Sequence, residues 1–171
     1  MSFARGVYWE KMQTFIRLIA DGTLIPIVLI GIYALVWKIP KNHRYEAYCR
    51  VLMAGLTSLL IAKFMSVLYH PTGERPFVLL GVAPGAAYLN NPGFPSDHAV
   101  FATAILYAVW FETRDKLLSG ILLVLLVLVG VGRVLALVHT PIDIFGGIVA
   151  ATIGALWYLT KLPQKPPIKK H

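Results

Sequence analysis

The chain has 171 residues, 57% of them hydrophobic and 14% charged, with a formal net charge of +8 and a mean hydropathy of +0.69. A soluble domain usually carries about 45–50% apolar and about 25% charged residues, so this composition excludes one and points to an integral membrane protein. Cys49 is the single cysteine, which excludes an intramolecular disulfide and a cysteine-built metal cage. The bases come in short runs between apolar segments, a pattern suited to anionic lipid and topology signals rather than to nucleic acid.

In chain order, residues 3–20 mix Val7, Trp9, Met12, Phe15, Ile16 and Ile19 with Arg5, Glu10, Lys11 and Arg17, which predicts an amphipathic helix at the interface. Those charges break any continuous apolar core of a cleaved signal peptide. Five apolar runs follow: Thr23 to Trp37, Val51 to Tyr69 interrupted by Lys63, His98 to Phe111, Leu117 to Val138 interrupted by Ser119 and Arg133, and Pro141 to Leu159 interrupted by Asp143. The expected fold is an all-α polytopic membrane bundle, one domain over 1–171, of five spans preceded by the amphipathic helix, or six if that helix crosses. Residues 70–97 hold five of the eleven prolines and four glycines, which reads as a structured functional loop. Residues 161–171, rich in Pro and Lys, read as a solvated tail.

With these spans, ten bases fall on one side: Lys38, Lys41, Arg44 and Arg50 in one loop, Arg114 and Lys116 in the next, and Lys161, Lys165, Lys169 and Lys170 in the tail. The positive-inside rule puts that side in the cytoplasm and the 70–97 loop outside, as for a multi-pass protein of the cell membrane with an outward-facing site.

A charge within a span costs about 2.5–3.5 kcal/mol on insertion scales, so Lys63, Arg133 and Asp143 each need a reason. All three approach the outer side. There Pro95-Ser96-Asp97-His98 opens the third span with Ser96 as its N-cap, and His139-Thr140-Pro141-Ile142-Asp143 opens the fifth with an N-cap, a proline at N1 and an acid at N3. Two helix N-termini favour an anion such as phosphate, and Lys63, Arg75 and Arg133 supply cations around it. His139, four residues before Asp143, can be held by that acid and attack phosphorus, while His98 can protonate the leaving oxygen. The cations and helix ends can stabilise the transition-state charge, so no metal and no other cofactor is called for.

At these residues the chain resembles the type 2 phosphatidic acid phosphatase superfamily, membrane phosphatases that share a site with vanadium haloperoxidases. The family's three motifs are a Lys followed by Arg-Pro, a Pro-Ser-x-His, and an Arg-x5-His-x3-Asp. Here they read Lys63 with Arg75-Pro76, Pro95-Ser96-Asp97-His98, and Arg133 with His139 and Asp143, in order, from about Lys63 to Gly147. The resemblance implies His139 as nucleophile through a phosphohistidine, Asp143 as its orienter, His98 as general acid, and Lys63, Arg75, Ser96 and Arg133 as phosphate ligands, with Asp97 beside them. Two departures stand out. Eleven residues separate Lys63 from Arg75 where the family usually has six, and Gly132 stands where the family has Ser before the third-motif Arg.

Asp97 within the second motif, with His70-Pro71 ahead of Arg75-Pro76-Phe77, is most similar to bacterial undecaprenyl-diphosphatases, which implies hydrolysis of undecaprenyl diphosphate to the monophosphate. A phosphatidylglycerophosphate or phosphatidate phosphatase is the close alternative. The partners this implies are a lipid phosphate and the bilayer, without nucleic acid or an obligate protein partner.

Taken singly, each residue has a structural explanation: Asp143 and Ser96 as helix caps, Lys63 as a snorkelling base, the histidines as interfacial polar groups. A lipid-phosphate binding or transport protein would use the same cations, but it would need no His139–Asp143 pair. Gly146, Gly147, Ala150, Ala151 and Gly154 form a small-residue face for close packing of the fifth span, and Gly130 and Gly132 do so on the fourth. Trp9, Trp37, Trp110 and Trp157 read as interfacial anchors.

Overall fold

The computed structural model describes residues 11–69, 74–91 and 93–160. Its regular structure is helical, with α1 (Lys11–Lys38), α2 (Arg44–Leu68), a short α3 (Pro76–Leu79), α4 (Asp97–Thr113), α5 (Lys116–Leu135) and α6 (Pro141–Leu159). Four of these, α1, α2, α5 and α6, are long and apolar enough to cross a bilayer. The chain is a polytopic membrane protein.

The fifth expected span, α4, has 17 residues and is about 25 Å long. It occupies the centre of the bundle, packed against α1, α2, α5 and α6. Ala99, Val100, Ala102, Thr103, Ala108 and Val109 are buried along it. Small side chains let the surrounding helices approach, while Leu52, Leu56, Leu60 and Val67 of α2 face outward as lipid-exposed apolar surface.

The N-terminal amphipathic segment is not a separate interfacial helix from Lys11 onward. It continues into the first span, and residues 3–10 lie outside the described residues. The reason is local. Pro26 lacks the N–H that would close the preceding turn, and a π-helical turn at Leu18–Gly22 absorbs the mismatch without ending the helix. The 161–171 tail and Trp9 also lie outside the described residues.

The small-residue face on α6 packs as expected. Gly146, Gly147, Ala150, Ala151 and Gly154 are all buried, and α6 lies against α2 and α4. A Cβ on Gly147 would stand 2.7 Å from the Ala99 Cβ and 2.8 Å from the Ser96 carbonyl oxygen, so glycine lets α6 meet the start of α4. Trp37 and Trp110 are exposed, whereas Trp157 donates to Thr57 Oγ1 at 2.9 Å and ties α6 to α2.

The basic loops gather at one end of the bundle. Lys38 pairs with Asp115 at 3.2 Å, and Asp115 also caps α5 by accepting from the Leu118 N–H at 3.1 Å. That backbone bond, then Lys38, holds the half-buried Asp115 carboxyl below its ordinary range. At this end Arg50 of α2 grips Glu112 of α4 with two bonds of 2.7 Å.

Candidate active site

At the opposite end, α3 and the loop that follows it are stitched to the α5–α6 turn by backbone bonds. The Phe77 N–H donates to Leu137 O at 3.1 Å and the Gly85 N–H to Ala136 O at 3.0 Å. The loop thereby roofs a cavity of about 180 Å³ lined by Arg75, Ala87, Tyr88, Leu89, Asp97, His98, Arg133 and His139. Five of these eight were expected at the site from the motifs.

Arg133 ends α5 and is 2% exposed, the largest fully buried side chain in the protein's described part. Its Nη1 donates to Asp21 Oδ1 at 2.8 Å and to Ala87 O at 2.7 Å. Its Nε is buried with no partner among the described residues. Arg75 commits its terminal nitrogens differently: Nη1 donates to Val138 O at 2.6 Å, and Nη2 to Leu89 O at 2.9 Å and Asn91 Oδ1 at 2.6 Å. The Tyr88 ring centroid lies 5.2 Å from its guanidinium carbon. Arg75 therefore braces the roof while lending its charge to the cavity.

His139 precedes α6 and is 5% exposed. Proline at N1 starts the helix abruptly, and Asp143 at N3 turns back so that its Oδ2 accepts the Thr140 N–H at 2.6 Å. The same oxygen stands 3.5 Å from His139 Nδ1. That is long for a hydrogen bond, and His139 Nδ1 has no hydrogen-bond partner among the described residues. The pair thus forms across the helix cap, not along a shared helix face. Burial is the largest influence on His139 and pushes it below its ordinary value of 6.5; Asp143 opposes this, and Arg133 and Arg75 reinforce it. Burial thus favours the neutral imidazole, whose Nδ1 faces Asp143.

Ser96 holds the N-cap position of α4, but its Oγ makes no capping bond. That hydroxyl is fully buried and has no partner among the described residues, while the Ser96 N–H donates to Asp143 O at 2.9 Å and locks the two helix starts together. A fully buried hydroxyl without a partner is costly unless something else satisfies it. Asp97 and His98, half-buried, lie in the first turn of α4 on the cavity wall. Among the expected site residues Ser96, Asp143 and Lys63 do not line the cavity: Ser96 and Asp143 are buried behind its wall, whereas Lys63 is exposed on α2. The long Lys63-to-Arg75 spacing is the sequence sign of that separation.

The PAP2 superfamily profile matches residues 47–166. The chain belongs to the PAP2 superfamily. Among its relatives, Undecaprenyl-diphosphatase BcrC of Bacillus subtilis (strain 168) is 33% identical over 83% of this chain and 70% of its own length. YbjG of Escherichia coli (strain K12), for which the same activity is put forward, is 28% identical over 81% of this chain and 67% of its own. No solved structure matches the chain. With the membrane helices, this makes the protein a membrane lipid phosphatase.

Sequence reasoning missed Asp21, Tyr88 and Asn91. Asp21 had a signal: it is an acid at the edge of an apolar run, and the insertion-cost argument applied to Arg133 and Asp143 applies equally to it. Tyr88 and Asn91 had none, because nothing in a Pro- and Gly-rich loop marks which residues turn back on an arginine.

Proposed function

We propose that the protein hydrolyses undecaprenyl diphosphate to undecaprenyl phosphate on the extracytoplasmic side of the cell membrane, by way of a phosphohistidine and without a metal. The observation that carries this reading is His139, its Nδ1 3.5 Å from Asp143 Oδ2, on a cavity that also holds Arg133 and His98. His139 Nε2 attacks the terminal phosphorus, the bond to the bridging oxygen breaks, and undecaprenyl phosphate leaves with the electron pair. His98 gives the leaving oxygen its proton, then takes one from the water that attacks the phosphohistidine and releases inorganic phosphate. Arg133, Ser96 Oγ and the start of α4 hold the phosphoryl oxygens, with Arg75 adding its charge from the roof and Asp97 at the rim. Lys63 lies too far out for that shell and meets lipid head groups instead.

The lipid's chain has a path. Between α5 and α6 runs an apolar groove of about 450 Å³ that includes Leu135 and Pro141, the residues ending and starting the helices on either side of the His139 turn. The groove is continuous in sequence with the site, and an isoprenoid chain is its occupant. The relatives' names favour the diphosphate over phosphatidylglycerophosphate or phosphatidate.

The test is phosphate release in detergent with EDTA, wild type beside His139→Ala, with undecaprenyl diphosphate and phosphatidylglycerophosphate offered in parallel. Release by wild type alone, faster from the diphosphate, is expected. Faster release from the monoester selects the alternative substrate, a requirement for added metal overturns metal independence, and lipid binding without any release selects a binding protein.

A further inference from the structure

We propose that Asp21, which lies outside the segment matching the superfamily, is a positioning residue that aims Arg133 at the phosphate. The inference rests on the reading of Arg133 as a phosphate ligand. A guanidinium offers a side-on fork made of Nε and Nη2, the geometry suited to two phosphate oxygens. Asp21 Oδ1 takes the third nitrogen, Nη1, at 2.8 Å, and Ala87 O takes it from another direction at 2.7 Å. Nε is buried without a partner, and Nη2 makes no hydrogen bond among the described residues. The arginine is therefore held by its back corner, with its fork left for an anion.

The second carboxylate oxygen adds to this. Asp21 Oδ2 accepts the Ala87 N–H at 3.0 Å, so one carboxylate sets both the arginine and the roof segment that carries Tyr88 and Leu89. Two local features bring it there. Asp21 sits in the π-helical turn Leu18–Gly22, where the helix widens. Gly132 lets that turn approach: a Cβ there would lie 2.8 Å from the Ala20 nitrogen and 2.8 Å from the Ile19 Cγ2. The glycine that replaces the family's serine is thus coupled to an acid supplied by α1. The lost hydroxyl is exchanged for a carboxylate that acts through Arg133 instead of on substrate.

The experiment uses the full chain in detergent as wild type, Asp21→Asn, Asp21→Ala, Arg133→Lys and Asp21→Ala with Arg133→Lys. Two quantities are read: phosphate release from undecaprenyl diphosphate, and the affinity for orthovanadate, a mimic of the five-coordinate phosphorus, taken from its shift of the thermal midpoint. Misaiming a group by about 1 Å can cost about 100-fold, so Asp21→Ala should lose about 10- to 100-fold in kcat and in vanadate affinity with KM changed little. Asp21→Asn keeps one acceptor oxygen and should fall between. In the Arg133→Lys background, Asp21→Ala should cost almost nothing more, because its effect passes through the fork.

A lower thermal midpoint with normal vanadate affinity and normal kcat in either Asp21 variant makes Asp21 a structural residue only and overturns the proposal. Additive losses in the double variant overturn it too. If wild type binds vanadate but releases no phosphate from the lipid, the phosphatase reading falls while the vanadate affinities still decide the role of Asp21. If wild type binds no vanadate, there is no anion for Arg133 to meet and both fall.

Discussion

Each end of the bundle has an arginine paired with a carboxylate from another helix, and the two pairs differ in which edge of the guanidinium is engaged. At the basic end, Arg50 presents Nε and Nη2 to Glu112, both at 2.7 Å, so the side-on fork is closed by protein. At the other end, Arg133 is held through Nη1, and Nε has no partner among the described residues. The first arrangement satisfies a charge within the membrane and finishes there. The second holds a charge in place and leaves its most directional edge for something else. A buried arginine is thus read less by its burial than by which of its nitrogens the fold has used.

This contrast can be broken most directly at the two arginines. Arg133→Lys should cut kcat/KM for lipid phosphate hydrolysis by about 100- to 1,000-fold, because a point charge cannot reproduce the fork in the transition state. Arg50→Met should leave kcat/KM of the folded fraction within about twofold, yet lower the thermal midpoint clearly, since it strands Glu112 at a cost of about 3–5 kcal/mol. Phosphate release and thermal denaturation on the same preparations check both. Equal kinetic loss in the two variants would erase the distinction.

The pH profile sharpens the open end next. His139 must be neutral to attack, and its ionisation is pushed below 6.5 mainly by burial. The His139 contribution to kcat/KM is therefore present at pH 7, persists below pH 6.5, and is lost only as pH falls through the depressed value. Asp143 raises that value, so Asp143→Asn should move the acid limb to lower pH while reducing the rate about 10- to 100-fold. An acid limb that stays in place in Asp143→Asn would separate the pair.

A smaller effect is expected along the groove. Ile144→Trp should reduce kcat/KM for undecaprenyl diphosphate by about 3- to 10-fold and leave a short-chain diphosphate unaffected, because only the long chain lies between α5 and α6. Smallest of all, Lys63→Ala should change kcat/KM by no more than about twofold, as fits a base exposed on α2; a larger loss would return Lys63 to the site.

Much of this was legible in the sequence, for specific reasons. The apolar runs announced the helices, since a bilayer leaves a span no other way to satisfy its backbone. His139, Thr140, Pro141 and Asp143 lie within one cap, so their arrangement is a local matter that five consecutive positions suffice to encode. The joining of residues 11–22 to the first span was less legible, because Pro26 suggests a break and only the π turn shows how the helix survives it. Lys63 shared a motif with Arg75 in the chain but not a place in space.

By itself, then, the sequence determined that the protein is an α-helical membrane protein, that its acid, histidines and arginines cluster toward one side, and that two helices begin at the site. Those follow from hydropathy, charge placement and capping, which act over a few residues at a time. Only the tertiary structure decided that Asp21 meets Arg133 across 112 positions, that Arg75 braces a roof, and that Lys63 stays outside. Each of these depends on how closely two helices approach, and that distance is set by what packs between them, such as the missing side chain at Gly132.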